Sequence, residues 1–264
     1  WAKLAHMNPR RETHPLAVAI TGMLCLSVAM GIGRFAFTPL LPMMLRDGSI
    51  DLAAGSHMAA ANYLGYWIGA MACALQPWIW RRLSVPHPLL PTRAIRIGLI
   101  ATVLLTAGMA APWPGGWAPL RFLAGLASAL VFVYTSTWCL ARLAGLGAAR
   151  LGGVIYVGPG LGIAASGLAA SAMVSGGLHA AHGWGLFAAM ALGLSTLAWP
   201  GLRKRFAGAP AGPAAPGAAA HHPRHRHPGL EAALVAAYGL AGFGYIVTAT
   251  FLPIIARQAL PGSI

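Results

Sequence analysis

Two arginines stand inside long apolar runs: Arg34 in Gly31-Ile-Gly-Arg-Phe-Ala-Phe-Thr-Pro-Leu-Leu-Pro42, and Arg121 in Trp117-Ala-Pro-Leu-Arg-Phe-Leu-Ala-Gly125. A guanidinium in hydrocarbon costs about 2.5–3.5 kcal/mol on insertion scales, so it faces a wet cavity or a partner unless it snorkels to the headgroups. Its planar fork grips a carboxylate or phosphate with two hydrogen bonds. Asn62 and Tyr66, four residues apart on one helical face, fall at a similar depth with Tyr63 beside them. The acidic residues are Glu12, Asp47, Asp51 and Glu231, all in loops or at helix ends. A proton relay inside a membrane usually needs a carboxylate or histidine, so these spans do not supply one by themselves. The chemistry on offer is recognition of an anion, or pairing with a carboxylate from elsewhere. Bond making has no candidate: there is no His-Glu-x-x-His helix, no phosphate loop and no acid pair within a span. The sequence therefore reads as a binder rather than an enzyme, with no metal site and no cofactor.

The elements that must position these residues follow from composition. At 58% hydrophobic and 8% charged, the chain lacks the polar surface of a soluble domain, whose charged share is about a quarter. Lipid is its solvent and the bilayer its first partner. A hydrocarbon layer about 30 Å thick needs roughly 20 apolar residues. Seven stretches fit, at about 16–44, 56–80, 94–112, 117–140, 150–175, 183–202 and 230–256. Lipid leaves backbone groups no water to bond, and nothing alternates with the period of two of a barrel strand, so the spans are helical. The expected fold class is all-α, a polytopic membrane bundle. Cys25, Cys73 and Cys139 all fall in apolar spans and read as small buried residues, not as a disulfide framework.

The net charge of +14 would suggest nucleic acid in a soluble protein, but the bases are scattered between apolar runs, so no nucleic-acid partner is expected. Their placement reports orientation instead. Lys3, Arg10, Arg11, Arg81, Arg82, Arg93, Arg96, Arg142, Arg150, Arg203, Lys204, Arg205, Arg224 and Arg226 lie in alternate connecting regions, and hold fourteen of the 18 bases. By the positive-inside rule those regions, and the amino terminus, face the cytoplasm of a plasma (inner) membrane. On that frame Arg34 lies about 27 Å from the cytoplasmic edge at 1.5 Å per residue, and Arg121 about 6 Å below the opposite one. A first-turn arginine such as Arg121 can simply snorkel, and Tyr63 and Tyr66 can be interfacial belt residues; these readings compete with a solute site. Gly65-x3-Gly69, Gly125-x3-Ala129 and Gly158-x3-Gly162 read as seams where helices pack closely.

From Gly208 to Pro228 the chain turns to Ala, Pro and Gly and closes on His221-His222-Pro223-Arg224-His225-Arg226-His227. Such a stretch buries too little apolar surface to order itself. The expected organisation is a six-span bundle over 1–206, a cytoplasmic linker over 207–229, and the opening span of a second bundle over 230–264. Sequence repetition supports this. Gly31-x-Gly33, Leu41-Pro42 and Arg46 recur as Gly242-x-Gly244, Leu252-Pro253 and Arg257, each displaced by 211 residues (31 to 242). Six spans precede the second copy, an even number, so the two copies are parallel, the relation between the halves of major facilitator transporters. At the position equivalent to Arg34 stands Tyr245, with Thr248 one turn on, so the two halves would present different groups at one level.

The runs Gly31 to Pro42, Ala61-Asn-Tyr-Leu-Gly-Tyr66 and Gly242-Phe-Gly-Tyr-Ile-Val-Thr-Ala-Thr-Phe-Leu-Pro253 resemble the YbfB/YjiJ-type branch of the major facilitator superfamily. That resemblance implies a secondary transporter moving a small-molecule solute by alternating access. Arg121-x3-Gly125 is similar to the superfamily's fourth-helix arginine motif, which implies coupled protons as a further partner. Gly158-Pro159-x2-Gly162 resembles part of the antiporter motif, with the upstream glycine out of place. The acidic and basic signature expected after the second span is missing, since 76–96 holds no carboxylate. The resemblance also implies five further spans, so the missing second bundle of the same protein is an expected partner. With arginines as the only charges inside the spans, an anionic solute is favoured. The solute and coupling candidates are thus Arg34, Asn62, Tyr63, Tyr66, Arg121, Tyr245 and Thr248. A seven-helix receptor or sensor would match the span count, and a non-transporting half-transporter would match the length.

Overall fold

The computed structural model describes residues 14–82 and 90–203, together with 229, 230, 233–242, 244, 248 and 252. Among the described residues there is no strand. The first span is α1 (Pro15–Leu26), a π-helix (Ser27–Arg34) and α2 (Phe37–Arg46); then come α3 (Leu52–Arg82), α4 (Pro91–Gly108) and α5 (Pro114–Gly145). A 3₁₀ segment (Ala149–Tyr156) leads into α6 (Val157–Ser175), followed by α7 (Ala180–Arg203). A further apolar helix, α8, covers Ala233–Gly242, and its described residues are exposed.

The bundle is apolar outside as well as inside. Leu64, Trp67, Ile68, Met71, Leu75 and Trp78 run as one exposed stripe along α3, and Ile97, Ile100 and Leu104 do the same on α4. Exposed stripes at helical spacing are what lipid-facing surfaces require and what water would penalise. By length and composition alone, the segments Pro15–Arg46, Pro114–Gly145, Ala149–Ser175 and Ala180–Arg203 are able to cross a membrane. In α3 the polar members Asn62, Gln76 and the tyrosines lower the mean, and α4 carries Arg93 and Arg96 in its first turns. The protein is a multi-pass membrane helical bundle. Element ends differ modestly from expectation: α4 stops at Gly108 rather than 112, and α5 starts at Pro114. The stretch 204–228, which contains the expected linker's His-rich part, lies outside the described residues.

Close packing follows the small residues. A Cβ added at Gly65 would meet the Phe122 carbonyl, one at Gly125 the Asn62 carbonyl, and one at Gly69 would lie 2.9 Å from the Ala129 methyl. So α3 and α5 cross with backbones nearly touching, which only glycine at these points permits. Likewise Gly31 faces the backbone of Gly162, and a Cβ at Gly162 would sit 2.6 Å from the Ser27 carbonyl. The π-helix therefore lies directly on α6. Hydroxyls pin the same segment, Ser27 donating to Gly158 O at 2.8 Å and Ser128 to Ala29 O at 2.8 Å.

The turns after α2, α4 and α6 meet at one end of the bundle. There Asp47 Oδ2 accepts the Ala180 N–H at 2.6 Å, capping the start of α7, while Arg46 donates to Leu178 O at 2.5 Å and to Asp47 at 3.1 Å. His179 Nδ1 lies 3.4 Å from the same carboxylate. Burial alone would raise the Asp47 pKa, but the Ala180 N–H and the Arg46 guanidinium outweigh it and hold the carboxyl below its ordinary 3.8.

Candidate functional site

The site is built around a break in the first span. Its cause is local. Gly31 and Gly33 lower the cost of irregular backbone, and Pro39 and Pro42 cannot donate N–H groups to the helix ladder. In a π-helix the carbonyl of Arg34 would look five residues on, to Pro39, which has no N–H. The chain bridges the gap with mixed bonds: Phe35 N–H to Met30 O at 3.3 Å, Ala36 N–H to Ile32 O at 3.1 Å, and Thr38 N–H to Phe35 O at 3.0 Å.

Arg121 supplies the donors that the break lacks. Its Nη1 donates to Gly33 O at 3.0 Å and its Nη2 to Arg34 O at 2.8 Å. The side chain is 3% exposed, so it points into the bundle and does not snorkel to headgroups. It lies 5.1 Å from the Phe37 ring centroid and 5.9 Å from that of Trp184, which offer their π-faces to a cation that no carboxylate balances. Asn62, 1% exposed, donates from Nδ2 to Arg121 O at 2.8 Å and ties α3 to the same point.

Arg34 occupies the other side of the break. Its guanidinium carbon is 4.0 Å from the Tyr66 ring centroid, 5.4 Å from that of Tyr63 and 5.3 Å from that of Phe35. Arg34, Tyr63 and Tyr66 are all half-buried. Thus Arg34, Asn62, Tyr63, Tyr66 and Arg121 form one contiguous group drawn from three elements. Asn62 Oδ1, Arg121 Nε and Trp184 Nε1 within it are buried and make no hydrogen bond among the described residues. Unpaired buried polar atoms cost about 1–3 kcal/mol each. Above Trp184, toward the Asp47 end, a cavity of about 280 Å³ opens between Met44, Ser49, Met109, Trp117 and Ala180.

Over residues 26–264 the chain matches the family described as "Uncharacterised MFS-type transporter YbfB". The chain belongs to this major facilitator family. No curated protein and no solved structure matches it. As a major facilitator protein it is a transporter by family, and its broken first span is closely packed on α6 and braced from α5.

Of the other candidates, Tyr245 lies outside the described residues, and Thr248 is exposed. Phe37 and Trp184, which flank Arg121, and the hydroxyls Ser27 and Ser128 escape a reading by charge and spacing. Pro39, five residues after Arg34, is the signal that could have pointed to an external cap.

Proposed function

We propose that the transporter recognises a small anionic solute through Arg34 and moves it across the inner membrane by alternating access, with no catalytic step. The observation that carries this reading is the division of labour between two arginines. Arg121 spends both terminal nitrogens on backbone carbonyls, so its role is to hold the break. Arg34 is set beside it, half-buried, against the rings of Tyr63 and Tyr66. Two cations in a weakly polar bundle create a field that an anion satisfies. Arg34 lies against the rings of Tyr63 and Tyr66, and a guanidinium is the side chain whose planar fork matches a carboxylate or phosphate. The irregular segment 27–36 is where the span bends as access alternates, because its backbone bonds already mix three spacings. The amino terminus is cytoplasmic, as the distribution of bases requires.

The test is counterflow in proteoliposomes loaded with an unlabelled organic anion and diluted into labelled anion. Protein carrying both bundles exchanges the label, and its Arg34→Leu variant incorporated to the same level does not. Equal exchange by the two would make Arg34 a structural anchor and put the site elsewhere.

A further inference from the structure

We infer that the groove between α4 and α7 is a binding site for a phospholipid of net negative headgroup, its acyl chain lying along the groove and its phosphate at Arg203. The groove encloses about 520 Å³. Leu99, Val103 and Leu104 form one wall, Leu192 and Trp199 the other, and Arg203 closes one end. Leu104 is 65% exposed and Leu192 53%, so the groove opens sideways to where lipid tails lie. The α8 helix does not fill it, since its described residues are exposed.

Two features give the occupant a polar end and a fixed depth. Pro200 has no N–H, so the Thr196 carbonyl loses its helical donor, and Ser195 Oγ is buried in the groove without a hydrogen bond among the described residues. At the end of the helix Arg203 is exposed, and behind Trp199 stands Arg96, 5.7 Å from its ring centroid and bonded to Leu202 O at 3.4 Å. Arg203 is thus the charged end of the groove, while Arg96 behind Trp199 is bonded to Thr92 O at 3.2 Å and Leu202 O. Charge decides between lipid classes. Among the described residues no carboxylate lines the groove to receive the ammonium of a zwitterionic lipid, whereas a phosphate with no counter-charge matches Arg203. The anionic headgroup is favoured by about fivefold for one arginine near the membrane surface.

The experiment compares quenching of Trp199 in vesicles of brominated phosphatidylglycerol and brominated phosphatidylcholine. Subtracting the signal of a Trp199→Phe variant isolates that residue from the other tryptophans. Phosphatidylglycerol should associate about fivefold more strongly than phosphatidylcholine. In Arg203→Gln, a change at an exposed helix end, the preference should fall at least twofold. Equal quenching by both lipids, or a preference that Arg203→Gln leaves intact, would overturn the assignment; the second result would mean general attraction by the +14 chain.

Discussion

Replacing Arg121 with Leu should loosen the first span at its break without unfolding the bundle. The side chain donates two charge-assisted hydrogen bonds, at 3.0 and 2.8 Å, to carbonyls that the local helix cannot serve. At about 1.5–3 kcal/mol each, they contribute about 3–6 kcal/mol to closing the break. Global stability changes less, because deleting a cation buried without a carboxylate also removes an insertion cost of about 2.5–3.5 kcal/mol. The two effects nearly cancel at the low end, so a melting curve is a blunt readout. Local opening is different: the arginine stays buried whether or not the break is open, so nothing offsets the lost bonds. Amides at 35–38 should therefore exchange with deuterium at least about 100-fold faster in Arg121→Leu, at 1.4 kcal/mol per tenfold. Amides in the middle of α5 serve as the internal control. Unchanged exchange at 35–38, in a variant that is folded and inserted, would refute the bracing role.

Three further outcomes are expected. Gly125→Val should destabilise the bundle by about 1–3 kcal/mol or more in detergent unfolding, because its side chain must displace the Asn62 carbonyl, whereas Gly145→Val, with nothing within 4 Å of its added Cβ, should not suffer that clash. The Asp47 clasp titrates with a carboxyl held below 3.8, so its contribution is complete at neutral pH and is lost as pH falls through that lowered value; protection of the Ala180 amide, taken relative to its intrinsic exchange rate, should fall on acidification, and Asp47→Ala should remove a cap worth about 1 kcal/mol at neutral pH and make no further difference below the lowered value. A cysteine at Ser49, exposed beside the Asp47 turn, should label from outside intact cells, and one at Ala219 only after permeabilisation; the reverse pattern would invert the topology.

Much of this architecture is written in composition. A chain of this apolarity has helices as its economical answer, and Gly65, Gly125, Gly158 and Gly162 lie where backbones meet, as their spacing suggests. Helix ends were harder: proline at 91 and 114 starts α4 and α5, so α5 begins before Trp117, where the apolar run suggested its start. The level shared by Arg34, Tyr63 and Tyr66 follows from counting residues along two spans, but ring stacking does not, because it depends on how α3 leans against the break. The use of Arg121 was the least legible feature. Its partners Gly33 and Arg34 are 88 and 87 residues away, and only the crossing of α5 with the first span brings them within reach. Asp47 gives no local signal either, since the helix it caps begins 133 residues later.

The claim that Arg34 is the recognition charge is tested most directly by anion binding to the purified protein. Thermal unfolding in detergent would be followed with a panel of small carboxylates and phosphates, each matched in ionic strength by chloride. At least one anion should stabilise the wild type saturably, by about 2.7 kcal/mol at a hundred times its Kd. The shift should shrink in Arg34→Lys, which keeps charge but loses the planar fork, and vanish in Arg34→Leu. An Arg34→Leu protein stabilised by the same anion to the same extent as wild type would contradict the account.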